Sequence, residues 1–145
     1  MKIAIASDHG GWDLKADLIT YYKNKGINLL DLGTYTSDSC DYPDIAEKMG
    51  EAILSKEVDS GILVCGTGIG ISIAANRHKG IRAAILYDDD VARLSREHNN
   101  ANISVYGGRT MQKEDVFRRQ DIFLNTEFLG DRHLRRINKL DREGE

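Results

Sequence analysis

Five short runs of aliphatic and β-branched residues, Lys2 to Ser7, Ile27 to Leu32, Ser60 to Cys65, Ile81 to Leu86 and Asn102 to Tyr106, are separated by stretches of helix length. Parallel strands need crossovers of that length, and strands buried on both faces read as continuous apolar runs. The alternation therefore predicts an α/β protein with a parallel sheet covered by helices on both faces. Between the first two runs, Trp12, Leu14, Leu18, Ile19 and Tyr22 fall mostly on one helical face, and Gly26 stands where a glycine cap ends the helix. A second helix is expected over Asp44 to Leu54, with Asp44 as N-cap after Pro43 and Ile45, Met49, Ala52 and Ile53 as its apolar stripe. Ile69 to Arg77 and Asp89 to His98 give a third and a fourth. Gln112 to Leu129, carrying Val116, Phe117, Phe123, Leu124 and Phe128, closes the sheet. Asp131 then caps a short basic helix, about 131–141. At 145 residues the chain fits one domain, 1–145, with core enough to need no disulfide or structural metal.

Charge and composition exclude several classes. A net charge of −3 gives no global attraction to nucleic acid, so an anion site has to be local. No apolar run has membrane-spanning length and the first residues lack a signal-peptide pattern, which predicts a cytoplasmic protein. Cys40 and Cys65 are too few for a disulfide framework, and reduced thiols are expected. His9, His78, His98 and His133 are scattered singly, Cys65 has no close Cys or His partner, and Asp88-Asp89-Asp90 lacks a calcium-loop pattern. No metal site is predicted, and that acidic run reads as an N-cap and first helical turn.

In open parallel sheets ligands bind outside the carboxyl ends of the strands. The third run ends in Cys65-Gly66-Thr67-Gly68-Ile69-Gly70, a loop with glycine at every second position. Such a loop turns tightly and aims backbone N–H groups at an anion or an enolate, and the same donors favour a thiolate over a thiol. Ser7-Asp8-His9-Gly10-Gly11 ends the first run and Gly107-Gly108-Arg109 follows the fifth. Placed on one rim with His98, these residues make a kit for proton transfer on a small anionic substrate. Each has a structural alternative. Cys65 can be a small core residue, Asp8 a helix cap, His9 a loop contact, Thr67 a turn residue and His98 a cap at a helix end. A nucleotide reading also exists, because Asp88 lies about 20 residues past the loop, but the glycines are not spaced G-x-G-x-x-G and do not follow the first strand. Near the end of the chain, Arg132 and Arg136 are four apart and share one helical face, where they can clasp a phosphate or simply be solvated.

Taken together, Ser7-Asp8-His9-Gly10-Gly11, Asp41-Tyr42-Pro43, the stretch Cys65 to Asn76, Ser95-Arg96-Glu97-His98-Asn99 and Arg132-His133 resemble the type B ribose-5-phosphate isomerases over nearly the whole chain. The resemblance implies a three-layer Rossmann-like α/β/α sandwich with five parallel strands in the order 2-1-3-5-4. It also implies a homodimer or tetramer whose sites borrow residues from a neighbouring subunit, and no cofactor. It implies interconversion of ribose 5-phosphate and ribulose 5-phosphate through an enediolate. Cys65 is then the base and His98 opens the furanose ring. Asp8, His9 and Tyr42 line the sugar pocket. Thr67 and the amides of Gly66, Gly68, Ile69 and Gly70 meet the charge that develops on oxygen, Asn99 binds a hydroxyl, and Arg109, Arg132 and Arg136 hold the phosphate. Asp131 stands where the family usually carries a second glycine. Related galactose-6-phosphate isomerases divide the cysteine and the histidine between unlike chains, whereas this chain has both. A six-carbon substrate, allose or galactose 6-phosphate, is the alternative, and a non-catalytic flavodoxin-like module that binds a phosphate-bearing ligand is another.

Overall fold

The computed structural model describes residues 1–141; residues 142–145, inside the span expected as one domain, lie outside the described residues. In chain order it has β1 (Ile3–Ser7), a 3-10 turn (His9–Gly11), α1 (Trp12–Asn24), β2 (Leu30–Asp31), α2 (Tyr42–Leu54) and β3 (Ser60–Cys65). There follow α3 (Ile69–Ala75), β4 (Ala83–Ile85), α4 (Asp89–Glu97), β5 (Ile103–Gly107), α5 (Lys113–Leu124) and α6 (Arg132–Ile137). All strand pairs are parallel, in the order β2-β1-β3-β5-β4. The period-two alternation of side chains builds a core on each face of the sheet. Ala4, Ala6, Leu63 and Cys65 face Ile45, Met49, Ile71 and Ala75 of α2 and α3. Ile5, Ile62 and Val64 face Leu14, Leu18, Ala92, Val116 and Phe123 of α1, α4 and α5. Fully burying a side chain such as Ile62 or Leu63 stabilises the fold by about 1.5–3 kcal/mol. Cys65 is thus the last inward residue on the α2/α3 side.

The ends of several elements differ from expectation, each for a local reason. The second strand is only Leu30–Asp31, because Ile27 belongs to the end of α1. Its amide donates to Tyr22 O (2.9 Å) and that of Gly26 to Lys23 O (3.0 Å), with Gly26 at φ 80°, the paired bonds of a Schellman cap. The N-cap of α2 is Asp41, not Asp44, since Pro43 needs no amide partner in the first turn. α5 ends at Leu124 rather than Leu129. Asn125 Nδ2 and Thr126 Oγ1 donate back to the carbonyls of Asp121 and Ile122, at 2.8 and 2.6 Å, and satisfy the helix end. The third, fourth and sixth helices stop at Ala75, Glu97 and Ile137, somewhat short of their expected limits.

Asp131 precedes α6, but its side chain makes no capping bond, and its backbone sits at φ 51°, ψ −128°. A Cβ is strained there, and glycine is not. Asp131→Gly is therefore expected to raise stability by about 1 kcal/mol. Urea unfolding followed by circular dichroism checks this.

Candidate active site

β1 lies between β2 and β3, so the chain's crossovers diverge between β1 and β3, and a crevice opens at their carboxyl ends. Three loops meet there main chain to main chain. Asp8 N donates to Val64 O (3.2 Å), Gly108 N to Cys65 O (2.8 Å) and Arg109 N to Gly66 O (2.9 Å). A Cβ on Gly10 would stand 2.9 Å from Gly66 N, and one on Gly108 would stand 2.6 Å from Gly10 O. Only glycine permits that approach.

Within this junction Cys65 is buried and reduced. Its Sγ accepts the amide of Gly68 at 3.1 Å, an arrangement made possible by the left-handed φ of 83° at Gly68. Thr67 is exposed, and its Oγ1 accepts Ile69 N at 3.2 Å, so it also holds the turn. Asp8 is buried and caps the 3-10 turn through Oδ1, which accepts Gly10 N at 2.9 Å. His9 Nδ1 accepts the amide of Cys40 at 3.2 Å, which leaves Nε2 to carry the proton of the neutral ring. The half-exposed ring of Tyr42 packs on Gly70, where an added Cβ would come within 2.8 Å of Cζ. Arg109 lies over Gly66, with Nη1 3.2 Å from a Cβ built there. Asp8, His9, Tyr42, the Cys65 to Gly70 loop and Arg109 are therefore one cluster.

His98, Asn99, Arg132 and Arg136 are not on that rim within one chain, and for His98 this corrects the placement expected from the residues. α4 starts beyond the carboxyl end of β4 and returns to the amino end of β5. Cys65 pairs with Gly107 at the far end of β5, whereas His98 comes before its first residue. Nine residues of helix, about 13 Å, separate the two ends. At that far end His98 stacks on His133, with ring centroids 4.3 Å apart and planes 15° from parallel. Arg132 and Arg136 lie on α6 beside the stack and are both exposed. Burial lowers the His133 pKa, and the charges of His98, Arg132 and Arg136 lower it further. Its Nε2 is buried without a hydrogen-bond partner.

His133 and Cys40 carry no role by sequence reasoning alone. His133 had a readable signal, since it falls between Arg132 and Arg136 in sequence and about a quarter turn round their helix from them. Cys40 had none, because its amide reaches His9 across 31 residues of chain. Among the described residues no group of three or more His, Cys, Asp or Glu is arranged to hold a metal, and no helix is long and apolar enough to cross a membrane.

Comparison with known proteins agrees with this architecture. The family model for ribose/galactose isomerase matches residues 3–140. Ribose-5-phosphate isomerase B of Escherichia coli is 40% identical over 139 residues, covering 96% of this chain and 93% of that one. The crystal structure of a ribose 5-phosphate isomerase from Thermotoga maritima superposes with a TM-score of 0.95 at 56% identity, over 97% of each chain. Ribose-5-phosphate isomerase B of Mycoplasma genitalium, solved with bound ribulose-5-phosphate, gives a TM-score of 0.90 at 40% identity, over 97% of this chain and 94% of that one. The parallel sheet in the order 2-1-3-5-4, the cysteine loop at its crevice and near full-length matches lead to one conclusion: the chain belongs to the ribose/galactose isomerase family of enzymes.

Proposed function

We propose that the protein interconverts D-ribose 5-phosphate and D-ribulose 5-phosphate in the cytoplasm, through an enediolate and without a cofactor. The observation that carries this reading is Cys65 Sγ, buried beneath its glycine loop and fixed by Gly68 N at the sheet crevice. Ribose 5-phosphate binds as a furanose, and His98 transfers the proton that opens the ring. Cys65 thiolate removes the proton from C2 and the electrons move to O1; the proton of the C2 hydroxyl then passes to O1 while the Cys65 thiol returns its proton to C1, which gives the ketose. Thr67 and the amides of Gly66, Gly68, Ile69 and Gly70 stabilise the negative oxygen, the kind of contribution for which fixed donors are most effective. Asp8, His9 and Tyr42 position the sugar, Asn99 binds a hydroxyl, and Arg109, Arg132 and Arg136 bind the phosphate through their planar forks.

Two copies complete each site in this proposal. The Cys65 half of one protomer receives His98, Asn99 and the α6 arginines of another, because within one chain these groups lie at opposite ends of the sheet. Ile69 and Ile73, one turn apart on α3 and more than half exposed, offer apolar surface beside the cysteine loop for that association.

Initial rates with ribose 5-phosphate, allose 6-phosphate and galactose 6-phosphate test the reading. A kcat/KM at least about tenfold higher for the pentose is expected, since each contact that a longer sugar loses or strains costs on that scale. Turnover of a six-carbon substrate alone would reassign the substrate. No turnover of any, with a flavin or nucleotide bound instead, would make the protein a binding module.

A further inference from the structure

The turn that carries His98 and Asn99 is held from behind by two arginines that have no ion-pair partner among the described residues. After α4 the amide of Asn100 donates to Arg96 O (3.1 Å) and that of Ala101 to Ser95 O (3.0 Å), while Asn100 takes a left-handed φ of 47°. The bond from Asn100, the left-handed residue, is that of an αL helix ending, and it leaves His98 and Asn99 in the turn just past Glu97. Arg96 lies on the inner side of this turn. Its Nη1 donates to Asn100 Oδ1 at 2.8 Å and to Ala101 O at 2.7 Å, and its Nε donates to Thr126 O at 3.1 Å. The guanidinium rests over the Phe123 ring, 5.6 Å from its centre. Arg82 approaches from β4 and donates Nε to Asn100 O at 2.9 Å. Neither arginine forms an ion pair among the described residues. Burial, and then the charge of Arg82, lowers the Arg96 pKa.

This arrangement spends two charges on neutral carbonyl and amide oxygens, three of them on one turn. A surface arginine pair of ordinary kind would gain more from a carboxylate or from water. Arg96 also bridges two segments that meet at the histidine stack. The Asn100–Ala101 turn carries His98, and Thr126 begins the strap that leads through Leu129, whose amide donates to Glu97 O at 3.1 Å, to His133. Only a planar fork with separated donors reaches both segments at once.

We propose that Arg96, with Arg82 and Asn100 as its anchors, is a positioning residue that sets the angle and reach of His98 and Asn99. The proposal rests on the reading of His98 as the ring-opening group. It assigns Arg96 no contact with substrate, and it confines the effect of Arg96 to what His98 and Asn99 do.

A double-mutant cycle tests this on the full-length protein with ribose 5-phosphate. Arg96→Gln is expected to lower kcat by roughly 10- to 100-fold, the usual consequence of a group displaced by about 1 Å, with a smaller change in KM. In a His98→Ala background the same substitution is expected to cost less than about twofold, because the group it positions is gone. An independent readout is the NMR signal of the His98 ring protons, which Arg96→Gln should shift without substrate present. An equal loss in both backgrounds, or an unmoved His98 signal, overturns the proposal and leaves the His98 reading intact. Full activity of His98→Ala overturns that reading, and the proposal falls with it. Where Arg96→Gln fails to fold, Asn100→Gly replaces it in the cycle. Glycine keeps the left-handed turn and removes the side chain whose Oδ1 holds Arg96, so a loss that vanishes without His98 supports the clamp, and a loss that persists refutes it.

Discussion

Replacing Cys65 with alanine is expected to slow isomerisation of ribose 5-phosphate by roughly 100- to 10,000-fold, the range over which a positioned base contributes. The fold should survive. Cys65 packs as a small residue among Ala6, Leu63 and Ile71, and removing one sulfur atom from such a core costs about 1 kcal/mol. Kinetics and thermal unfolding measured on the same sample separate the two effects. A variant that melts near the parent temperature and has lost its rate identifies Cys65 as part of the chemistry. One that keeps more than a tenth of the rate removes the thiol from the mechanism and hands proton transfer to another group of the crevice, with buried Asp8 the nearest candidate.

Mixing two inactive variants should restore activity. Cys65→Ala keeps the His98 half of the site and His98→Ala keeps the cysteine half, and the sheet holds these halves apart within each chain. If a site is built from two copies, random re-association of equal amounts places both defects in one of the two sites of each hybrid dimer. The other site is intact. Half of the dimers are hybrids, so about a quarter of wild-type activity is expected from near-zero parents, as two-fold symmetry requires. Each protein alone, taken through the same dissociation and re-association, should recover nothing. Hybrids visible by native mass spectrometry without recovered activity would end the shared-site reading.

What could be read from the chain and what could not divide along a physical line. The five strands and their helices were legible because burial on both faces of a sheet leaves long apolar runs, and β3 matches its expected limits at both ends. Ends governed by competing hydrogen bonds were not. Ile27 looks like strand but completes a cap, and Asn125 and Thr126 stop α5 five residues before the apolar pattern suggests. The strand order came from resemblance, since local pattern carries no information about which strands adjoin. For the site, the residues expected at the strand ends, Asp8, His9, the Cys65 loop and Arg109, do lie together. It misplaced His98 because proximity along a loop list says nothing about which end of the sheet a helix returns to. The four-residue spacing of Arg132 and Arg136 was legible, but the stack of His133 on His98 joins residues 35 apart in number and has no local signature.

The glycine junction at the crevice has a consequence for how such a chain can change over generations. Gly10, Gly66 and Gly108 are fitted against one another's backbones, so a side chain on Gly10 or Gly108 presses on main chain that cannot rotate away. No partner substitution can make room, because a glycine has nothing left to trim. The rim of the pocket and the surface of α3 can drift residue by residue, while this junction can only be inherited whole or lost.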